Sequence, residues 1–298
     1  MNFKLSEVIA FLKEINHLDS NFYIEEDQEI FGFSALNENK ENTLSWIKYL
    51  NYDLSKIKSN VLICSKNGDF KKMNAIKLLP VENPRLSFIK TMNKFYEPEK
   101  QIGIMDTVKI GKNVEIGKDV YIGHYSVIGD NVKIGNNTII RNNVSIYNNI
   151  EIGNNCIINS GVVLGADGFG YERDENNKII KIIHIGGILI GNNVEIGSNT
   201  CIDRGTLGNT IIKDNVKIDN LCHIAHNVII NEGAFIIALS MLAGSVVIEK
   251  NAWVAPGSMI RESLKIGENS KVGMGAVVVK NVENNDIVAG VPAKSLKK

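Results

Sequence analysis

The feature that most constrains this chain is a period of six. Ile104, Ile110, Ile116, Ile122, Ile128, Ile134, Ile140, Ile146, Ile152, Ile158 and Leu164 follow one another at that spacing without a break. Two positions before them stand small or β-branched residues such as Val108, Val114, Val120, Ser126, Val132, Thr138 and Val144. Six fits neither the 3.6 of a helix nor the 2 of a plain strand. It fits a mainly β fold, a parallel β-helix in which short strands turn a corner every hexapeptide. Three hexapeptides then close one triangular coil of eighteen residues, each aliphatic pointing inward and stacking on its equivalent one coil later. Asparagine and glycine suit the corners, where left-handed backbone angles cost them little.

The period stops after Leu164 and resumes at Ile190, Ile196 and Ile202. It slips by four at Arg204–Gly208, then runs from Ile212 to Val278. The intervening GADGFGYERDENNKIIKIIHIGG must loop out of the coil. Loops of about twenty residues inside a compact domain are usually functional, so this one is expected to help build a site. Residues 1–100 lack the period and read as a small α/β domain, with residues 101–298 forming the β-helix and its tail. LSEVIAFLKEI has helical spacing, SNVLICS reads as a buried strand, and PRLSFIKTMNKFY as an amphipathic helix opening on a proline.

Lysine plus arginine and aspartate plus glutamate each number 33, so the formal charge is zero. That excludes a nucleic-acid binder working by bulk charge, and leaves room for a local basic pocket. No run of eighteen apolar residues predicts a membrane span, and the first residues lack a signal peptide's three-part pattern. Cys64, Cys156, Cys201 and Cys222 show no metal-type spacing and are expected to be free thiols. Together these predict a cytoplasmic protein.

Chemistry points to KIDNLCHIAHNV, Lys217 to Val228, which holds two of the five histidines. Ile224 points into the coil, so His226 falls at a corner, able to face outward. Eighteen residues on, Gly244 takes the equivalent place in LAGS, about 4.8 Å away along the coil axis. A base beside an unobstructed peptide N–H is what acyl transfer requires: the base takes a proton from an attacking amine and the N–H steadies the oxyanion. Asp219 is the nearest carboxylate in sequence; it belongs to the preceding hexapeptide, around a corner, and is expected either to orient His226, within one chain or across subunits, or to be a turn residue. His223 also faces outward, as a substrate contact, an alternative base or plain surface.

GADGFGYER, VEIGSNTCIDRGTLGNT and VKIDNLCHIAHNV closely resemble the bacterial UDP-3-O-acylglucosamine N-acyltransferases of lipid A synthesis, among the hexapeptide-repeat acyltransferases. FGFSALNENKENTLSWIKYL resembles that family's nucleotide-binding domain, and NPRLSFIKTMNKFY its connecting helix. The resemblance implies a homotrimer of left-handed parallel β-helices with active sites between subunits. It implies transfer of an acyl group from a phosphopantetheine thioester to a sugar amine. It places the catalytic histidine at His226, the acidic helper at Asp219, the oxyanion glycine at Gly244 and the uracil-stacking aromatic at Trp46. Phe169 and Tyr171, in GFGYER, join His223 as substrate-binding candidates.

The departures from that pattern imply a sister activity. Ser263 stands where the family has a second histidine, and Tyr49 where an asparagine reads uracil. In place of a helical C-terminal extension stands AGVPAKSLKK, which resembles the end of acetyl-CoA-dependent hexapeptide transferases. Lys280, at an arginine position of the lipid A enzyme, and Pro292 are therefore donor-binding candidates. The expected activity is N-acylation, most simply N-acetylation, of a UDP- or dTDP-linked amino sugar for O-antigen, capsule or glycan assembly. Acetyl-CoA or another short acyl-CoA serves as co-substrate, with no permanently bound cofactor, no metal and no nucleic-acid partner. The alternative is the lipid A enzyme proper, with 3-hydroxyacyl carrier protein as donor. A three-histidine zinc site, with His223 and His226 joined by His124 or His184, is the reading from another enzyme class.

Overall fold

A computed structural model of the chain describes residues 2–36, 38, 40–48, 61–67 and 77–297. The backbone divides into two compact units, Met1–Lys100 and Gln101–Lys298. No helix among the described residues is long and apolar enough to cross a membrane.

The first unit holds two helices and a small parallel sheet. Helix α1 runs Leu5–Glu14 and turns Leu5, Val8, Ile9 and Leu12 inward, the 3–4 spacing its sequence sets. Its Glu7 carboxylate accepts from the Lys4 amide at 2.6 Å, satisfying one free N–H at the helix start. Strands Leu44–Ile47, Val61–Ser65 and Lys77–Val81 lie side by side in that order, all parallel. Helix α2, Pro84–Phe95, has Asn83 as its cap, the side chain accepting from the Leu86 amide at 3.2 Å. Burial pushes the Cys64 thiol in the central strand up to about 11, so it behaves as an apolar side chain.

The second unit is a β-solenoid of three sheets with nine, eight and eleven strands, parallel throughout except for the last strand of the eleven, Lys294–Ser295, which runs antiparallel. Most strands are two residues long, and each pairs with its equivalent in the next coil, as Ile128 pairs with Ile110 and Ile146. The inward column Ile122, Ile140, Ile158, Ile196, Ile218, Ile236 and Val254 is almost fully buried. Each such side chain contributes about 1.5–3 kcal/mol of apolar burial. Serine and threonine are admitted to the neighbouring small column because their hydroxyls find carbonyls. Ser126 Oγ, for example, donates to Arg141 O at 2.9 Å and accepts from Val144 N at 3.1 Å. At the corners Asn113, Asn131, Asn137, Asn143 and Asn155 take φ values of +55° to +59°, the left-handed region asparagine tolerates best.

Two irregularities break the regular step of eighteen. Leu164 pairs with Ile202, so the segment between them includes the extra loop, whose tip is an antiparallel hairpin of Tyr171–Arg173 with Ile179–Lys181. Ile202 then pairs with Ile224, which places the four-residue slip one coil below His226. A bulge at Leu164/Ala166 marks where the loop leaves. At its return, Gly186 and Gly205 pack against the backbone of Gly208; a Cβ on Gly186 would fall on the Gly208 carbonyl oxygen. Gly186→Ala is therefore expected to destabilise the fold by about 1–3 kcal/mol, the range for overpacking. Thermal unfolding beside the parent chain checks this; an unchanged midpoint would contradict it.

Candidate functional site

Strands 109–110, 127–128, 145–146, 163–166, 201–203, 223–224, 241–242, 259–260 and 277–278 form the nine-stranded face. The corner just past it carries Lys112, Asp130 and Asn148 on early coils, and His226, Gly244, Glu262 and Lys280 on late ones. On the early coils this corner caps itself. The Lys112 amide donates to Asp130 Oδ1 at 2.7 Å, and the Asp130 amide to Asn148 Oδ1 at 2.9 Å. On the late coils the capping side chain is gone. Among the described residues the Gly244 amide has no hydrogen-bond acceptor, while its carbonyl accepts from Ser263 N at 2.9 Å.

The imidazole of His226 lies over Gly244. A Cβ on that glycine would stand 2.7 Å from His226 Cε1 and 2.8 Å from Nε2, so only glycine leaves the ring in place. Nδ1 sits 3.1 Å from Asn227 Oδ1 and 3.5 Å from Thr206 Oγ1. Thr206 also donates to Asn227 Oδ1, from its amide at 3.1 Å and its hydroxyl at 3.0 Å. With Asn227 Oδ1 a pure acceptor, this network assigns the proton to Nδ1 and leaves Nε2 bare. The half-buried ring thus offers an unprotonated nitrogen beside an open amide, the pairing a proton-removing, oxyanion-binding site needs.

The extra loop returns across this ring. Gly168 approaches so closely that a Cβ there would be 2.7 Å from His226 Cδ2 and 2.9 Å from His184 Nε2. The rings of His184 and His226 meet edge to face, with centroids 5.4 Å apart. Asp203, directly after the inward Ile202, is the carboxylate of the cluster, with Oδ2 3.7 Å from His223 Nε2. Burial pushes the Asp203 carboxyl above the usual range, and His223 pulls it partly back. On the loop, Asp167 pairs with Lys181 at 2.5 Å, and this hydrogen bond holds the Asp167 carboxyl below its ordinary value.

The residues singled out in the sequence fall into distinct places. His226 and Gly244 come together, and His223 faces outward one pleat away, 47% exposed at its side chain. Asp219 does not reach His226 within the chain. It follows the strand Lys217–Ile218 of the eleven-stranded face, a corner earlier. Its oxygens there accept from the amides of Asn220 at 2.7 Å and Ala238 at 3.3 Å, the work of a turn residue. Phe169 and Tyr171 meet edge to face at 4.9 Å, beside a surface hollow of about 470 Å³ lined by Phe169, Tyr171, Glu172, Arg173 and Ile179. Lys280 is exposed on the His226 corner, two coils past Gly244. Pro292 lies in the turn between strands 287–289 and 294–295, held over Val277 by the bond from Ala293 N to Val277 O. Trp46 is half-buried and packs on the core of the first unit, 6.4 Å from Phe88. Tyr49 lies outside the described residues. Ser263 sits on the His226 corner one coil past Gly244, directly after Glu262, at φ +58°.

Asn227, Thr206, Asp203 and His184 escape a reading of the period. The insertion carries His184 and the slip carries Thr206 to the site, and neither the path of a loop nor its contacts follow from a repeat; Asp203 lies on the paired strand Cys201–Asp203. Asn227 alone left a local signal, an asparagine directly after the corner histidine. His184, His223 and Asp203 gather near His226, but no group of three or more metal-type side chains is arranged to hold an ion among the described residues.

The chain matches the model of bacterial transferase hexapeptide (six repeats) at residues 102–134, 131–166 and 245–280. It is 53% identical over 70 residues to a UDP-3-O-acylglucosamine N-acyltransferase of Delftia acidovorans, covering 24% of this chain and 21% of that protein. With enzymes of the same name from Helicobacter pylori, identity is 36% over 216 residues in strain ATCC 700392 / 26695 and 34% over 239 residues in strain HPAG1. Those alignments span 67% and 75% of this chain, and 64% and 69% of the Helicobacter proteins. Among solved structures, the UDP-N-acetylglucosamine acyltransferase of Francisella novicida superposes with a TM-score of 0.59 at 27% identity, over 65% of this chain and 68% of that one. The Campylobacter jejuni UDP-N-acetylglucosamine acyltransferase gives 0.60 at 25%, over 65% and 73%. A solenoid of hexapeptides, an extra loop laid over a corner histidine, and identity sustained across three quarters of the chain thus agree: the chain belongs to the hexapeptide-repeat family of UDP-3-O-acylglucosamine N-acyltransferases.

Proposed function

We propose that the protein transfers an acyl group from a phosphopantetheine thioester to the amine of a UDP-linked 3-O-acylglucosamine. The observation that carries this reading is the bare Nε2 of His226 lying over Gly244, whose amide has no acceptor among the described residues. His226 Nε2 takes a proton from the sugar amine as its nitrogen attacks the thioester carbonyl. The Gly244 N–H donates to the oxygen that becomes negative, and the thiolate leaves, taking up a proton as the amide forms. Asn227 keeps the ring in the tautomer this requires. The chain assembles as a homotrimer whose clefts between copies hold the substrates, and a contribution of Asp219 would come from a neighbouring copy. Names carried by the Delftia and Helicobacter relatives support the UDP-sugar acceptor.

A second reading keeps the chemistry and changes the donor to a short acyl-CoA, with a UDP- or dTDP-amino sugar as acceptor. It is favoured by exposed Lys280 on the catalytic corner. The test presents purified protein with UDP-3-O-acylglucosamine or with other UDP- and dTDP-amino sugars, each with 3-hydroxyacyl carrier protein and, separately, with acetyl-CoA. The expected result is turnover with the carrier-bound donor and little with acetyl-CoA. Turnover with acetyl-CoA alone on another amino sugar would transfer the assignment to the second reading.

A further inference from the structure

The inserted loop places one more histidine at the site. His184 is 4% exposed, and its Nδ1 lies 3.0 Å from the carbonyl oxygen of Ile182. A carbonyl only accepts, so Nδ1 carries the proton and Nε2 is left as a bare acceptor. That Nε2 is buried and without a hydrogen-bond partner among the described residues, an arrangement that costs free energy where nothing compensates. The atom borders the place where Gly168 abuts His226. The hypothetical Cβ of Gly168 is 2.9 Å from His184 Nε2, 2.7 Å from His226 Cδ2 and 3.0 Å from His226 Cβ. Gly170 closes the other side, its Cβ position 3.2 Å from His184 Cε1.

We propose that His184 is a positioning residue for His226. Its ring clamps the corner imidazole through the edge-to-face contact, and its unpartnered acceptor adds negative potential on the side where His226 becomes positive on protonation. Two glycines in GADGFGYER let the loop backbone come close enough to hold both rings. The charged groups around the pair are Asp203 with His223, and Asp167 with Lys181 and Arg204. These remain in place when only His184 is changed. The inference rests on the reading of His226 as the base, and its test separates the two.

The experiment uses full-length protein labelled at histidine 13Cε1, in which only five resonances need assignment. His184→Phe keeps a ring and removes the acceptor; His184→Gln keeps a polar acceptor. In the apo protein the His226 titration is expected to move down by about one unit in the phenylalanine variant and to return most of the way in the glutamine variant. Turnover in the phenylalanine variant is expected to fall about ten- to a hundredfold, with KM changed far less. A His226 titration and kcat unchanged in both variants would overturn the proposal and make His184 a filler of the loop core. Should the phenylalanine variant fail to fold, the glutamine variant alone decides: recovery of parental titration and turnover is required, and a loss as deep as that of His226→Ala overturns the role. If His226→Ala itself keeps full turnover, the assignment of the base fails instead, independently of the titration.

Discussion

Replacing His226 by alanine is expected to lower kcat by about a hundredfold to ten-thousandfold, the range for losing a positioned general base. The fold should survive, because Ile224 and not His226 supplies the inward packing of that strand. His226 stands at a corner, half-buried, and its contacts are to Asn227, Thr206, Gly244 and the loop. A change in stability of about 1 kcal/mol is therefore the expected scale. Binding of the UDP-sugar should change little, since the ring acts on the reacting amine. Steady-state kinetics beside a thermal melt decide the matter. Near-parental turnover in a folded variant would remove His226 as the base.

Gly244→Ala is expected to be almost as damaging, for a different reason. The glycine has no positive φ, so alanine can adopt its backbone without strain. The added methyl, however, would stand 2.7 Å from His226 Cε1 and 2.8 Å from Nε2. Ring or corner must shift, and both Nε2 and the open amide are displaced from the reacting atoms. A loss of about a hundredfold in kcat follows from misplacement on this scale. The two changes act on one unit, so the double variant His226→Ala/Gly244→Ala should lose much less than the product of the single losses. Fully multiplicative losses would show that the glycine and the histidine work apart.

The architecture was legible because the hexapeptide period is a direct record of the inward column. Ile122, Ile140 and Ile158 are buried for the same geometric reason that they are spaced eighteen apart. The same reasoning put Gly244 under His226, since parallel pairing carries one corner onto the next. It also puts Asp219, which is near His226 in sequence, around a corner on a different face of the triangle, where it caps a turn within the chain. Proximity along a β-helix is measured by coils, and seven residues is more than one edge. Asp203 and His184 were illegible for different reasons. Asp203 lies in register one coil before Ala225, since Ile202 pairs with Ile224, but only its side-chain direction shows that it meets His223; His184 arrives on a loop that folds back, outside any register. Asn227 was readable in principle: asparagine fills the left-handed place at most corners, and only its side-chain direction makes it the partner of Nδ1.

The most direct measurement is the position of a bound, non-reactive acyl-phosphopantetheine analogue together with the UDP-amino sugar in crystals of the protein. Acyl transfer at this corner predicts the analogue's carbonyl oxygen about 3 Å from the Gly244 amide nitrogen and the sugar amine within about 3 Å of His226 Nε2. A carbonyl bound at another corner of the solenoid, with His226 Nε2 facing only solvent, would contradict the account.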